Sequence, residues 1–168
     1  MRDQEERAAA MPPMKAELKA KDMMTAEPVC VTPSARLREL ARVFEDHEIS
    51  GAPVIDQEGK VVGVVSKTDL IRRCSQGIDD IPPAYLFEVL SEQGADEETS
   101  EVMPEPLVCV EDLMTEDPLV VGPAVPAAAV ARLMHEKRVH RVIVVDEEKF
   151  PLGIITSLDL LGAFPQAR

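Results

Sequence analysis

The 168-residue sequence predicts an α+β fold of two β-α-β-β-α repeats packed sheet to sheet with pseudo-two-fold symmetry. Three observations predict it. Displacing the chain by 90 residues lays Asp22-Met-Met-Thr-Ala-Glu-Pro over Asp112-Leu-Met-Thr-Glu-Asp-Pro, and the match runs without a gap to Asp69-Leu70 over Asp159-Leu160. Residues 22–72 and 112–162 share 14 identities in 51 pairs, and self-similarity of this kind marks a repeated structural unit. Within each repeat one stretch of helical period sits among short β-rich runs. A unit this small also leaves an apolar sheet face that it cannot cover alone; a second unit face to face covers it and predicts a cleft on either side of the shared sheets.

The elements follow in order. Residues 1–14 read as an N-terminal extension closed by Pro12-Pro13, and Lys15–Lys21 as the first repeat's counterpart of 105–111. Val29–Val31 and Leu119–Val121 read as short strands. Thr32-Pro33 and Gly122-Pro123 then offer an N-cap followed by proline at the first helical position. Leu37, Leu40, Ala41 and Phe44 recur at i, i+3, i+4, i+7, as do Ala127, Val130, Ala131 and Met134, so each helix buries one stripe. Buried strands come next at Ala52–Ile55 and Val142–Val145, then a charged turn (with Gly59 in the first repeat), then strands at Val61–Val65 and Leu152–Ile155. Ser66 and Thr156 open the last helices. Residues 75–104 read as an acidic insert, with a short helix from about Tyr85 through Gln93, a stop at Gly94 and a solvated loop over Asp96–Glu101. Residues 107–110 predict an entering strand for the second repeat, so the repeats span 15–74 and 105–168.

Composition narrows the function. Lys and Arg total 18 against 31 Asp and Glu, a net charge of −13, which repels phosphodiester backbones and anionic lipid and argues against nucleic-acid or membrane partners. With no Trp and one Tyr there is no platform for stacking bases. No apolar run reaches membrane-spanning length and the N-terminus lacks a secretory h-region. Cys30, Cys74 and Cys109 share no metal-ligand spacing and read as reduced thiols, consistent with a cytoplasmic location. Cys30 and Cys109 are expected in strands. His47 and His135 read as solvated helix residues, and Met23, Met24, Met103 and Met114 as packing. No nucleophile–base pair or metal cluster is spaced for catalysis, so no catalytic residue and no metal site are expected.

Two constellations carry chemistry. Ser66-x-x-Asp69 and Thr156-x-x-Asp159 stand where a strand turns into a helix, and the pattern reads first as a capping box. A carboxylate there also suits the two hydroxyls of a ribose, since it offers two acceptor oxygens. Lys137-Arg138-Val139-His140-Arg141 gathers cationic groups in an acidic chain; it reads either as a helix C-terminus complementing the dipole or as a phosphate clamp. The first repeat has Ile49-Ser50-Gly51 instead, so only one side carries the clamp.

The ordered set Asp-x-Met-Thr-x-x-Pro, Gly51-Ala-Pro-Val-Ile-Asp56 and Gly63-Val-Val-Ser-Lys-Thr-Asp69, repeated as Val139–Asp146 and Gly153–Asp159, resembles the cystathionine β-synthase (CBS) domain. The resemblance implies a stand-alone CBS pair, which needs no cofactor for chemistry and binds an adenine nucleotide (AMP, ADP or ATP) as a sensor. It implies composite sites. Asp159, Thr156, Ile154, His140 and Arg141 would hold ribose and phosphate, with Ala26, Ile49 and Ser50 against the base. Asp69, Ser66, Val64, Gly51 and Ala52 would form the other site, with Glu116 and Val139 across from them. The resemblance also implies a homodimer through the helices after each ribose Asp, which carry Leu70, Ile71, Leu160, Leu161 and Phe164, and an effector protein as listener. The competing expectations are a protein-interaction module with empty clefts, or another adenosyl ligand such as S-adenosylmethionine or NAD.

Overall fold

A computed structural model describes residues 18–75 and 106–163. The N-terminal extension, the insert helix and acidic loop, Met103, Phe164 and the side chain of Cys74 lie outside the described residues. The chain divides into two compact units, and each takes its opening segment from the other repeat. Among the described residues the first unit comprises 18–27, 119–147 and 152–163; the second comprises 28–75, 106–118 and the 148–151 turn.

In the first unit a four-stranded sheet runs β1 (Thr25–Ala26), β7 (Pro151–Thr156), β6 (Arg141–Val145), β5 (Val120–Val121). Helix α1 (Ala20–Met23) precedes β1, α4 (Ala127–Lys137) lies between β5 and β6, and α5 (Ser157–Gly162) follows β7. Strand β1 pairs antiparallel with β7 and β5 parallel with β6. In the second unit β2 (Gly51–Ile55), β3 (Val61–Ser66) and β4 (Thr115–Glu116) form an antiparallel sheet, with α2 (Leu37–Asp46) before it and α3 (Lys67–Ser75) after β3.

The exchanged segments are built alike. Ala20 N–H donates to the Val125 carbonyl at 2.8 Å and Ala127 N–H to that of Leu18 at 2.8 Å. In the other unit Val110 N–H donates to Ala35 at 3.0 Å and Glu111 to Pro33 at 2.9 Å. Asp22 and Asp112 each turn a carboxylate onto the backbone N–H three residues earlier, at 2.9 and 2.8 Å, which closes one helical turn before Met-Thr. The chain leaves each segment at Glu27-Pro28 and Asp117-Pro118, where Glu27 (φ 51°) and Asp117 (φ 48°) take the left-handed conformation, costly for a residue with a Cβ.

The apolar stripes pack as their period predicts. Leu37, Leu40, Ala41 and Phe44 are buried on α2, and Ala127, Val130 and Met134 on α4, where Ala131 is half-buried. One core joins Leu40, Phe44, Val54, Val65 and Leu70 with Val108, Val110 and Leu113; the other joins Val130, Val142, Val144, Ile155 and Leu160 with Ala20.

Four local expectations are corrected. The first strand of repeat one shrinks to a bridge at Val31, beside Val54, because the next residues turn away and Pro33 has no N–H to extend a ladder. Thr32-Pro33 and Gly122-Pro123 do not cap the helices. They close turns, with Ala35 N–H on the Thr32 carbonyl at 3.1 Å and Val125 N–H on that of Gly122 at 3.2 Å. The helices start at Leu37 and Ala127 behind extended Arg36 and Pro126, which bridge Cys109 and Lys19. Residues 107–110 are not a strand of the second repeat: Cys109 forms that bridge, Val110–Asp112 is a 3-10 turn, and both belong to the unit around the first repeat. Cys30, expected in a strand, lies outside one because the ladder ends at Val31.

Candidate functional site

Strand β7 alternates cleanly: Gly153 and Ile155 are buried, while Leu152, Ile154 and Thr156 are half-buried on the opposite face. Thr156 leads into α5. Its N–H and Oγ1 both donate to Asp159 Oδ2, at 2.6 and 2.7 Å, and Asp159 N–H returns a long contact to Thr156 Oγ1 at 3.4 Å. The capping box is therefore made, and it uses one carboxylate oxygen. Oδ1 has no partner among the described residues and remains an acceptor next to the strand end.

The segment before β6 is tied to the same corner. The His140 carbonyl accepts from Ser157 N–H at 3.1 Å and from Ser157 Oγ at 3.3 Å, which places His140 and Arg141 at the mouth of α5. Arg138 takes a left-handed φ of 54°, ending α4 and turning the chain toward this corner. His140 is exposed and Arg141 half-buried.

The first repeat reproduces the corner. Ser66 N–H and Oγ donate to Asp69 Oδ2 at 2.8 and 2.5 Å, and the Ser50 carbonyl accepts from Lys67 N–H at 3.0 Å. Gly51 pairs with Ser66 and Pro53 with Val64, so these four share a face, whereas Ala52 pairs with Val65 and is fully buried in the core. Here Asp69 Oδ1 is engaged: Arg72 Nη1 lies 3.3 Å from it.

Register adds two residues that the sequence reading missed. Thr25 pairs with Ile154 and therefore shares the face of Thr156, while Ala26 pairs with Gly153; likewise Thr115 pairs with Val64, and Glu116 with Gly63. Only the Met-Thr dipeptide present in both repeats hinted at them. Ala26 lies in the unit of Asp159, and Ile49 and Ser50 in the other; Glu116 lies in the unit of Asp69, and Val139 in the other.

A groove of about 840 Å³ between α4 and α5, lined by Met134, His135, Val139, His140, Ser157 and Leu161, flanks Asp159 without containing it. Leu158, Leu161 and Ile71 are exposed on the helices that carry the aspartates, but Leu70 and Leu160, expected to face a partner, are core residues. Their place on the helix turns them under the sheet. Cys30 donates its thiol to the Pro28 carbonyl at 3.2 Å, and burial pushes its pKa up, so it is a poor nucleophile. Among the described residues no three His, Cys, Asp or Glu side chains converge for a metal, and no helix is long and apolar enough to cross a membrane.

Comparison with known proteins follows the same division. The model of the CBS domain matches residues 20–76 and again 110–166. The uncharacterized protein MJ1426 of Methanocaldococcus jannaschii is 33% identical over 150 residues, covering 85% of this chain and 89% of that protein. Inosine-5'-monophosphate dehydrogenase of the same organism is 29% identical over 151 residues, but the chain spans only 24% of its length. Among solved structures, CBSX2 of Arabidopsis thaliana in complex with AMP superposes with a TM-score of 0.63 at 28% identity, covering 86% of this chain and 94% of that one.

Proposed function

The chain belongs to the CBS-domain family, and we propose on that footing that it is a non-enzymatic regulatory module that binds an adenine nucleotide of the AMP, ADP or ATP class. One observation carries the reading. Among the described residues nothing bonds Asp159 Oδ1 while Oδ2 caps α5, and His140 and Arg141 stand at the same helix mouth. A ribose diol suits the open oxygen, and a guanidinium fork beside an imidazole suits phosphate. The AMP complex of CBSX2 supports the ligand class.

In this reading Asp159 and Thr156 take the ribose, His140 and Arg141 the phosphate, and Ile154 with Thr25 the flank of the nucleoside. Ala26, Ile49 and Ser50 contribute to the base. Ser66, Asp69, Gly51, Val64 and Thr115 make a second adenosyl site, poorer in cations, to which Ala52 contributes through the backbone and Val139 from the other repeat. The module works in the cytoplasm and pairs with a second molecule of this chain through exposed Leu158, Leu161 and Ile71. An effector protein reads the shift between conformations, and that shift is bounded by the ligand's differential affinity for them.

Thermal denaturation with AMP, ADP, ATP, NAD and S-adenosylmethionine tests the reading. A ligand at a hundred times its Kd stabilises by about 2.7 kcal/mol, a rise of roughly 5–10 °C for a chain of this size. A rise with AMP, ADP or ATP is expected; no rise with any of the five at millimolar concentration favours a protein-interaction module instead.

A further inference from the structure

The two aspartates differ in one respect between the repeats. Arg72 sits one turn beyond Asp69 on α3, and its guanidinium reaches Asp69 Oδ1 at 3.3 Å; the position 90 residues on is Gly162. The Asp69 carboxylate is thus engaged at both oxygens, by Ser66 on Oδ2 and by Arg72 on Oδ1. Asp159 has its cap but no cation on its own helix. The Asp69 side chain is 13% exposed and that of Arg72 62%, so the arginine approaches a sheltered carboxylate from solvent and can leave without unpacking the core.

We infer that Arg72 is a specificity-determining residue: it competes with the ribose diol for Asp69 Oδ1 and makes the first repeat's site the weaker of the two for an uncharged nucleoside. The inference rests on the reading of Asp69 as a ribose acceptor. The guanidinium takes one of the two in-plane lone pairs of Oδ1, so a diol approaching on that side must displace the ion pair. A solvent-facing pair of this kind is weak and screened by salt, so the penalty on affinity is roughly two- to fivefold and shrinks as ionic strength rises. A pair that merely stabilised α3 would change the melting temperature and leave nucleoside affinity and its salt dependence alone.

Calorimetric titration with adenosine tests this in the 168-residue chain carrying Asp159→Ala, so that the Asp69 site alone is read. Arg72→Ala is expected to tighten adenosine binding roughly two- to fivefold at low salt. Without that substitution affinity should rise between 20 and about 300 mM salt, and with it the salt dependence should vanish. Arg72→Lys, which keeps the charge, should stay close to the parent. Equal or weaker binding in Arg72→Ala overturns the inference, as does an absence of adenosine binding in both proteins. If Asp69→Ala abolishes binding while Arg72→Ala leaves it unchanged, the inference fails and the nucleotide-binding reading stands. If the unsubstituted protein binds neither AMP nor adenosine, it is the underlying reading that fails.

Discussion

At the residue scale, Asp159 both caps its helix and presents a second carboxylate oxygen. Oδ2 accepts from Thr156 N–H and Oγ1, which restrains the side chain, and Oδ1 has no partner among the described residues. A carboxylate already ordered by its own helix loses little freedom on meeting a ligand. In the proposed reading Arg141 differs in kind, because its contribution depends on the ligand bearing charge. Arg141→Ala should weaken AMP binding by about 1.5–3 kcal/mol, the range for hydrogen bonds between charged groups, and leave adenosine binding unchanged. Equal losses for AMP and adenosine in parallel titrations would contradict a phosphate role. The aspartates, Ser66, Thr156 and the His140-Arg141 pair were legible as motifs because capping and cationic patterns are local. Thr25 and Thr115 were not, since their facing depends on strand partners that lie 129 and 51 positions away in the pairings Thr25–Ile154 and Thr115–Val64.

Two-residue strands are stable at the scale of the element only because they press close to their partners. A Cβ at Gly153 would lie 2.9 Å from the Thr25 carbonyl oxygen and inside the Met24 side chain; at Gly63 it would lie 3.2 Å from the Thr115 carbonyl and 2.6 Å from Met114 Sδ. Gly153→Ala should therefore destabilise by about 1–3 kcal/mol, as overpacking does, while Gly122→Ala, which meets nothing within 4 Å, serves as its control. Chemical denaturation that finds the two variants equally stable would contradict the close approach. The helices show what local pattern can and cannot reveal. Leu37, Leu40, Ala41 and Phe44 announced α2 through their period, yet its start was misplaced by four residues. Thr32-Pro33 has the composition of a cap, but Arg36 stays extended because it bridges Cys109, a partner that no local window contains. The same distance hid the fate of residues 107–110, whose apolar run reads as a strand in isolation and instead serves a core belonging to the first repeat.

For the whole molecule, duplication and exchange act together. Each core needs residues from both repeats: Ala20 among Val130, Val142 and Leu160, and Val110 and Leu113 among Leu40, Phe44 and Val65. Exchange makes each repeat depend on the other for its fold, while the two strand-to-helix corners differ in their side chains. One corner carries His140-Arg141 and an Asp159 whose Oδ1 has no partner among the described residues; its counterpart carries Ser50-Gly51 and an Asp69 engaged by Arg72. The duplication was visible in a single 90-residue displacement, whereas the exchange was not, because identical spacing is compatible with each opening segment serving either repeat. The central claim is that a helix-capping carboxylate in a CBS pair receives the ribose of an adenine nucleotide. Calorimetric titration of AMP into the unsubstituted chain and into Asp159→Ala, with melting curves confirming that both are folded, tests it most directly. Saturable binding that weakens by about 1–3 kcal/mol in the variant, roughly 5- to 150-fold, is the predicted result. Identical affinities in the two proteins, or no binding to the unsubstituted chain, would contradict it.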